Sequence, residues 1–306
     1  MVEQQNGDIQ YYTTAEGKPV INGRLITIAY LLHDVWETGK LENLLNQSLF
    51  AMSQIFPFAM WRTHTSGNGS IWNSLIITWS YQKGIALAKQ SKPKEYGGAL
   101  VRSFKLGLYD NVIKEDYSAL YPSIMCHFKL FSSADITSLL YNLLMHFNSQ
   151  SKLFKAMGED QSLSSDERQM YKTKRTPFKL LNNSLYGLTA SPHFLLGDTD
   201  LAEAVTMRGR LFLRSMVHFS MSHGFVPLVG STDGITFSYP NEIKEFQYEG
   251  VNGVQAVVNK FNKEILKGAL EVDFEKEWQT ELILKKNNYI NRNVDKVEKD
   301  VVHDDA

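Results

Sequence analysis

Between Leu100 and Tyr239 the apolar spacing passes from strand-like to a long helical repeat and then to alternation, an order that few folds accommodate. Leu100 to Ile113 reads as strand. Helical spacing covers Ile136 to Met157, breaks over the polar stretch Gly158 to Asp166 and resumes from Glu167 to Leu188. That is the pattern of an αα-hairpin with a polar tip. A third helix follows from about Asp200 to Ser222, and Phe225 to Tyr239 then reads as two strands joined at Ser231 to Gly234. The order strand, helical hairpin, helix, β-hairpin puts acidic residues on the sheet and basic residues on the hairpin.

Upstream of this region, Leu41, Leu44, Leu45, Leu49, Phe50 and Met52 lie at helical spacing and predict a packed helix ending before Pro57. Arg62 to Asn73 is rich in Gly, Ser, Thr and Asn and predicts a surface loop. No repeat of solenoid period is visible. With 306 residues and 43% hydrophobic content the chain can bury a substantial core. Lys plus Arg number 32 against 33 Asp plus Glu, so no global basic field points to nucleic acid. An acidic metal centre flanked by basic walls would give the same near-zero sum. One cysteine, Cys126, excludes an internal disulfide framework and fits a packed thiol in a reducing compartment. The longest early apolar run, Leu25 to Leu32, is too short to cross a bilayer, and the expectation is a soluble, cytoplasmic protein with no membrane partner.

Three constellations carry chemistry. In the first, Asp116-Tyr117-Ser118-Ala119-Leu120-Tyr121-Pro122-Ser123-Ile124, an acidic residue at a strand end precedes a turn. Such a carboxylate can hold Mg²⁺ while the turn's backbone amides receive phosphate oxygens, although a bare Asp also simply ends strands. The whole string resembles motif A of the family B DNA polymerases. The resemblance implies that Asp116 bridges two catalytic metal ions and that the backbone of Ser118, Ala119 and Leu120 binds the incoming triphosphate. Tyr121 would stack under the sugar and exclude a 2′-hydroxyl, the group that separates RNA from DNA. Ala119 stands where the family usually has Ser; because the amide survives, only a modest cost is expected.

The second constellation is Lys172 to Gly187, in which Arg175, Lys179, Asn183 and Tyr186 are spaced by four, four and three and share one helix face. A solvated charged face has the same spacing, but here Leu180, Leu181 and Leu185 supply an apolar side. Lys179 through Gly187 resemble motif B, Lys-x-x-x-Asn-Ser-x-Tyr-Gly, at every fixed position. The resemblance implies that Lys179 contacts the triphosphate, with Arg175 behind it where the family commonly has Gln, and that Asn183 helps hold the nucleotide. Tyr186 and Gly187 would face the minor groove of the new pair, where acceptors are nearly the same for every correct pair. The family also carries an Arg and a Lys four apart on the first fingers helix. Here Ser151 holds the Arg position and Lys155 the Lys position, with Lys152 as a substitute.

For the third constellation two segments compete. Gly197-Asp198-Thr199-Asp200 has the letters of the family's motif C, whereas Gly230-Ser231-Thr232-Asp233-Gly234 lacks the first Asp. Only the later segment has flanking strands, and Asp198 or Thr199 reads better as a helix cap. Ala204 to Arg210 resembles the Val-Thr-x-x-Gly-Arg segment found between motifs B and C, which again places motif C at 230 to 234. Asp233 is then the metal ligand, and Ser231 removes the accessory carboxylate. Downstream, Lys285-Lys286-Asn287-Asn288-Tyr289 resembles the family's Lys-Lys-x-Tyr with the spacing slipped by one, making Lys286 and Tyr289 the expected contacts near the primer terminus. Tyr96 to Tyr117 resembles the lead-in to motif A.

The resemblance implies an α+β fold of right-hand architecture: an antiparallel-sheet palm with a two-helix fingers hairpin, lacking a full thumb and exonuclease. The expected division is 1–95 as an N-terminal helical region, 96–134 as palm, 135–190 as fingers and 191–306 as palm. The activity it implies is DNA-directed DNA synthesis with two Mg²⁺ ions, Mn²⁺ being an alternative, acting on primer-template DNA and dNTPs. Tyr30 and Asp34 resemble the Tyr-x-x-x-Asp motif that closes the family's exonuclease, with a buried helix as the other reading. No Asp-x-Glu motif precedes them, and after Tyr289 only a short acidic tail remains. The expectation is therefore a split polymerase, in the manner of a bacteriophage genome, with exonuclease and thumb on separate chains. Two competing readings are a non-catalytic polymerase-like scaffold in a replication complex and a protein-primed polymerase, although no segment has the length of the latter's insertions.

Overall fold

The computed structural model describes residues 11–13, 19–21, 23–56, 58–87, 94–285, 288–293 and 297–301. The chain divides into two compact units, one of residues 1–65 with 154–177 and one of 66–153 with 178–306. In chain order the elements are β1 (Tyr11–Thr13), β2 (Pro19–Ile21), α1 (Gly23–Ile55), α2 (Met60–Thr65), α3 (Asn68–Lys83), β3 (Arg102–Ser103), β4 (Gly107–Tyr117), α4 (Leu120–His127), α5 (Leu139–Glu159), α6 (Ser165–Thr189) and α7 (Thr199–Ser222). There follow β5 (Val226–Ser231), β6 (Gly234–Ser238), β7 (Gln247–Tyr248), β8 (Val251–Asn252), α8 (Val254–Lys260), β9 (Val272–Lys285), β10 (Asn288–Arg292) and β11 (Val297–Val301). No helix among the described residues is long and apolar enough to cross a membrane.

In the first unit the helix expected near residues 41 to 58 is the second half of a much longer one, because α1 runs through 33 residues. The distal part of the helical hairpin also lies here, where Phe154 and Tyr171 stack with ring centroids 6.1 Å apart. A capping box opens α6. Ser164 Oγ accepts from the Glu167 backbone N–H at 3.3 Å, and the Glu167 carboxylate accepts from the Ser164 N–H at 2.9 Å.

The second unit is built on a seven-stranded antiparallel sheet in the order β11-β10-β9-β4-β6-β5-β3. Along β4, alternation sends Ile113, Glu115 and Tyr117 to one face and Val112 and Lys114 to the other. The first face is covered by α7, to which Tyr117 is tied by a hydroxyl donating to the Phe212 carbonyl at 2.8 Å. On the second face Val112 packs with Leu228, Val229, Trp278 and Ile283, and Tyr109 and Tyr289 cover that cluster.

The predicted surface loop at Arg62 to Asn73 is instead helical, forming most of α2 and the first turns of α3 with a break at Ser66 and Gly67. Burial outweighs composition here. Ile71 and Trp72 are fully enclosed, the Trp72 ring lies 5.5 Å from that of Phe147, and its Nε1 donates to the Leu181 carbonyl at 3.2 Å. Gly69 serves close packing, since a β-carbon there would meet the Leu188 side chain at 2.9 Å.

Candidate active site

The centre of the sheet gathers carboxylates from β4, β9 and the turn between β5 and β6. Asp116, one residue from the end of β4, is the cross-strand partner of Gly234 on β6 and of Asp273 on β9. Asp233 occupies the two-residue turn between β5 and β6, and its carbonyl accepts from the Tyr117 N–H at 2.9 Å. Ser118 Oγ donates to Asp273 Oδ2 at 2.5 Å, and the Lys114 ammonium pairs with Glu275 Oε2 at 2.6 Å. Gly234 is required by closeness. A β-carbon there would lie 2.3 Å from Asp116 Oδ1 and 2.8 Å from the Glu115 carbonyl oxygen.

Burial, followed by repulsion from Asp233, pushes the Asp116 carboxyl up to about 6. Asp233 is also raised by burial, with Lys114 opposing the shift. Two carboxylates that resist ionising together form a place where added positive charge is stabilised. The Asp116 Oδ1 atom is buried with no hydrogen-bond partner, and carboxylate oxygens are the hard donors that Mg²⁺ prefers. Asp116 and Asp233 therefore fit a divalent ion. Among the described residues no three His, Cys, Asp or Glu side chains converge as a closed cage. An ion held by two carboxylates would complete its shell with water and phosphate oxygens, as Mg²⁺ commonly does.

Beside the carboxylates stands a tyrosine cluster. The rings of Tyr121 and Tyr186 lie 4.1 Å apart, and the Tyr186 hydroxyl is 3.4 Å from that of Tyr96. Burial and the nearby Asp233 carboxylate push the Tyr121 hydroxyl up to about 12. Gly209 on α7 makes room for the Tyr121 ring, since a β-carbon there would be 3.0 Å from it. Thr206 Oγ1 donates to the Gly97 carbonyl at 3.0 Å, and Arg210 donates to the carbonyls of Gly97 and Gly98 at 2.8 and 2.5 Å. The segment Ala204 to Arg210 is thus a clamp on the chain that carries Tyr96.

The turn after β4 has its own strain. Ala119 caps α4 with φ 50° and ψ 58°, a left-handed conformation that costs a non-glycine residue about 1 kcal/mol. It offers no side-chain cap, so the first amides of α4 are left for other acceptors.

Of the other predicted site residues, Lys179, Asn183 and Gly187 are exposed on α6 in the same unit as the sheet, and Ser118 and Leu120 flank Ala119. Lys155 and Arg175 belong to the other unit. Tyr289 lies on β10 opposite Ile283, whereas Lys286 falls outside the described residues. Asp198 caps α7 through the Leu201 N–H at 3.1 Å, and Asp200 pairs with Lys94 at 3.0 Å. The segment with motif C letters thus serves a helix start, and the β-hairpin tip carries Asp233. Tyr30, 64% exposed, and Asp34 lie on α1, so the buried-helix reading of that segment does not hold. Asp273, Glu275 and Lys114 were overlooked in the sequence. The signal was there, since alternation in Val272 to Lys276 places Asp273 and Glu275 on one face of a strand.

Comparison with known proteins gives a consistent picture. The sequence model of "DNA polymerase family B" matches residues 128–303. DNA polymerase 1 of Sulfurisphaera ohwakuensis is 27% identical over 197 residues, covering 55% of this chain and 22% of that protein. The DNA polymerase alpha catalytic subunit of Mus musculus is 26% identical over 240 residues, covering 69% of this chain and 16% of its own. The chain spans about a fifth of the length of the first curated relatives it matches, at 22%, 22% and 20%. The structure of the family B DNA polymerase from the hyperthermophilic archaeon Pyrobaculum calidifontis superposes with a TM-score of 0.69 at 19% identity, over 92% of this chain and 39% of that one. At that identity the likeness is one of fold.

Proposed function

This chain belongs to DNA polymerase family B, and we propose that it adds deoxynucleotides to a primer 3′-hydroxyl under template direction, releasing pyrophosphate. The observation that carries the reading is the meeting of Asp116 with the Asp233 turn at adjacent strand ends, where Asp116 Oδ1 has no hydrogen-bond partner. Asp116 and Asp233 would hold the Mg²⁺ ions, or Mn²⁺ in their place. Bound there, such ions would activate the primer hydroxyl and neutralise phosphate charge. Phosphoryl transfer asks mainly for alignment and charge neutralisation. The uncapped amides after Ala119 suit phosphate oxygens, and Lys179 would add positive charge at the triphosphate. Asn183 would hold the nucleotide. Tyr121, packed between Gly209 and Tyr186, would press on the sugar and exclude ribonucleotides, and Tyr186, Gly187, Lys286 and Tyr289 would contact primer-template DNA.

One observation favours a second reading, a non-catalytic scaffold: Ser231 stands where the family's motif C has its first Asp. A primer-extension assay with Mg²⁺ separates the two. It is run on the chain alone and with candidate partner chains added. The expected result is extension that falls on the order of 10³-fold in Asp116→Asn and in Asp233→Asn. If folded wild-type protein extends no primer in any combination, the scaffold reading replaces this one.

A further inference from the structure

Lys114 was given no role in the sequence, yet it stands two residues before Asp116 on the same face of β4. Its stem is half-buried, and its ammonium is held at 2.6 Å by Glu275. The carboxylates of Asp116 and Asp233 also act on it. The centre thus holds a fixed cation beside its carboxylates.

We propose that Lys114 is a positioning residue that sets how tightly the acidic centre holds divalent cations, and that Glu275 is the latch drawing its ammonium aside. The idea rests on the polymerase reading of the same site. In strand geometry, residues two apart on one face are separated by about 7 Å. At that range a divalent ion on Asp116 and a fixed ammonium repel by an amount worth about tenfold in affinity even at the dielectric constant of water. With Glu275 in place, the ammonium is neutralised and turned toward β9. Without it, Lys114 is free to lie against Asp116 and Asp233 and compete with the incoming ion. Glu275 then serves metal binding without being a ligand.

The test is Mn²⁺ binding to the whole chain, followed by electron paramagnetic resonance in the absence of DNA and nucleotide. Binding that Asp116→Asn abolishes establishes the site. Its absence in the wild type sinks this inference, while the polymerase reading is decided separately by primer extension. Given such binding, Lys114→Met is expected to tighten it about tenfold, while Lys114→Arg restores the wild-type value. Glu275→Gln is expected to weaken binding about tenfold in the wild-type background, and at least threefold less than that in the Lys114→Met background. Unchanged affinity in Lys114→Met sinks the role of Lys114 and leaves the polymerase reading standing. An equal effect of Glu275→Gln in both backgrounds makes Glu275 a ligand and removes the latch. Circular dichroism on each variant confirms that the fold compared is the same.

Discussion

At the scale of single residues, Gly234 is where the site has no spare volume. Alanine there must push either the Asp116 carboxylate or the Glu115 carbonyl aside, since both lie within 3 Å of the added carbon. Overpacking of this kind costs about 1–3 kcal/mol of stability. If Asp116 holds metal as proposed, displacing its carboxylate by about 1 Å costs on the order of 100-fold in rate. Gly234→Ala is therefore expected to lose about two orders of magnitude in primer extension while staying folded, as judged by thermal melting beside the wild type. A variant that melts normally and extends normally would contradict the crowding described here. Asp116 was legible because a nine-residue string surrounds it. Asp233 was legible only through its flanking strands, since the letters at 197–200 matched better and belong to a helix cap. Lys114, Asp273 and Glu275 were not read, because alternation puts the two acids on one strand face but does not show the cross-strand contacts that bring them beside Asp116 and Lys114.

Among the elements, α3 shows why local composition misleads. Its N-terminal turns are rich in Gly, Ser and Asn, and they are helical because Trp72 is enclosed and hydrogen-bonded to the Leu181 carbonyl of α6. Removing that side chain opens a large cavity and leaves a carbonyl without its indole partner. Trp72→Ala is expected to cost about 3–5 kcal/mol in urea unfolding. A loss below about 1 kcal/mol would mean that α3 is held elsewhere. The helical hairpin, by contrast, was legible to within a few residues at each end. Its apolar spacing is regular, and its starts carry side-chain caps, Asp135 for α5 and Ser164 with Glu167 for α6. Where an element's ends are fixed by its own side chains, sequence is enough; where a distant tryptophan fixes it, sequence is not.

Across the whole molecule, the sheet buries a charge it does not pair. Glu281 on β9 has no exposed surface and lies opposite Tyr109 and Asn291, and the Thr236 hydroxyl offsets only part of its burial. Burial pushes it from an ordinary 4.5 up to about 7. Between those values the folded chain keeps a proton that the unfolded chain releases, so stability falls as pH rises through this window and stays reduced above it. Glu281→Gln is expected to raise stability by about 2 kcal/mol at pH 8 and to change little at pH 4.5, measured by urea midpoints at both values. A gain of the same size at both would assign the effect to packing alone. The same sheet has a consequence during synthesis. Ser118 and its partner Asp273 are 155 residues apart, so the strand that carries Asp116 leaves the ribosome long before its β9 neighbour exists. Such late closure of a long loop slows folding and leaves an unpaired strand edge open to misassembly. Truncated nascent chains ending before β9 should consequently be prone to aggregation, and the proposed site stays incomplete until β9 has emerged and paired.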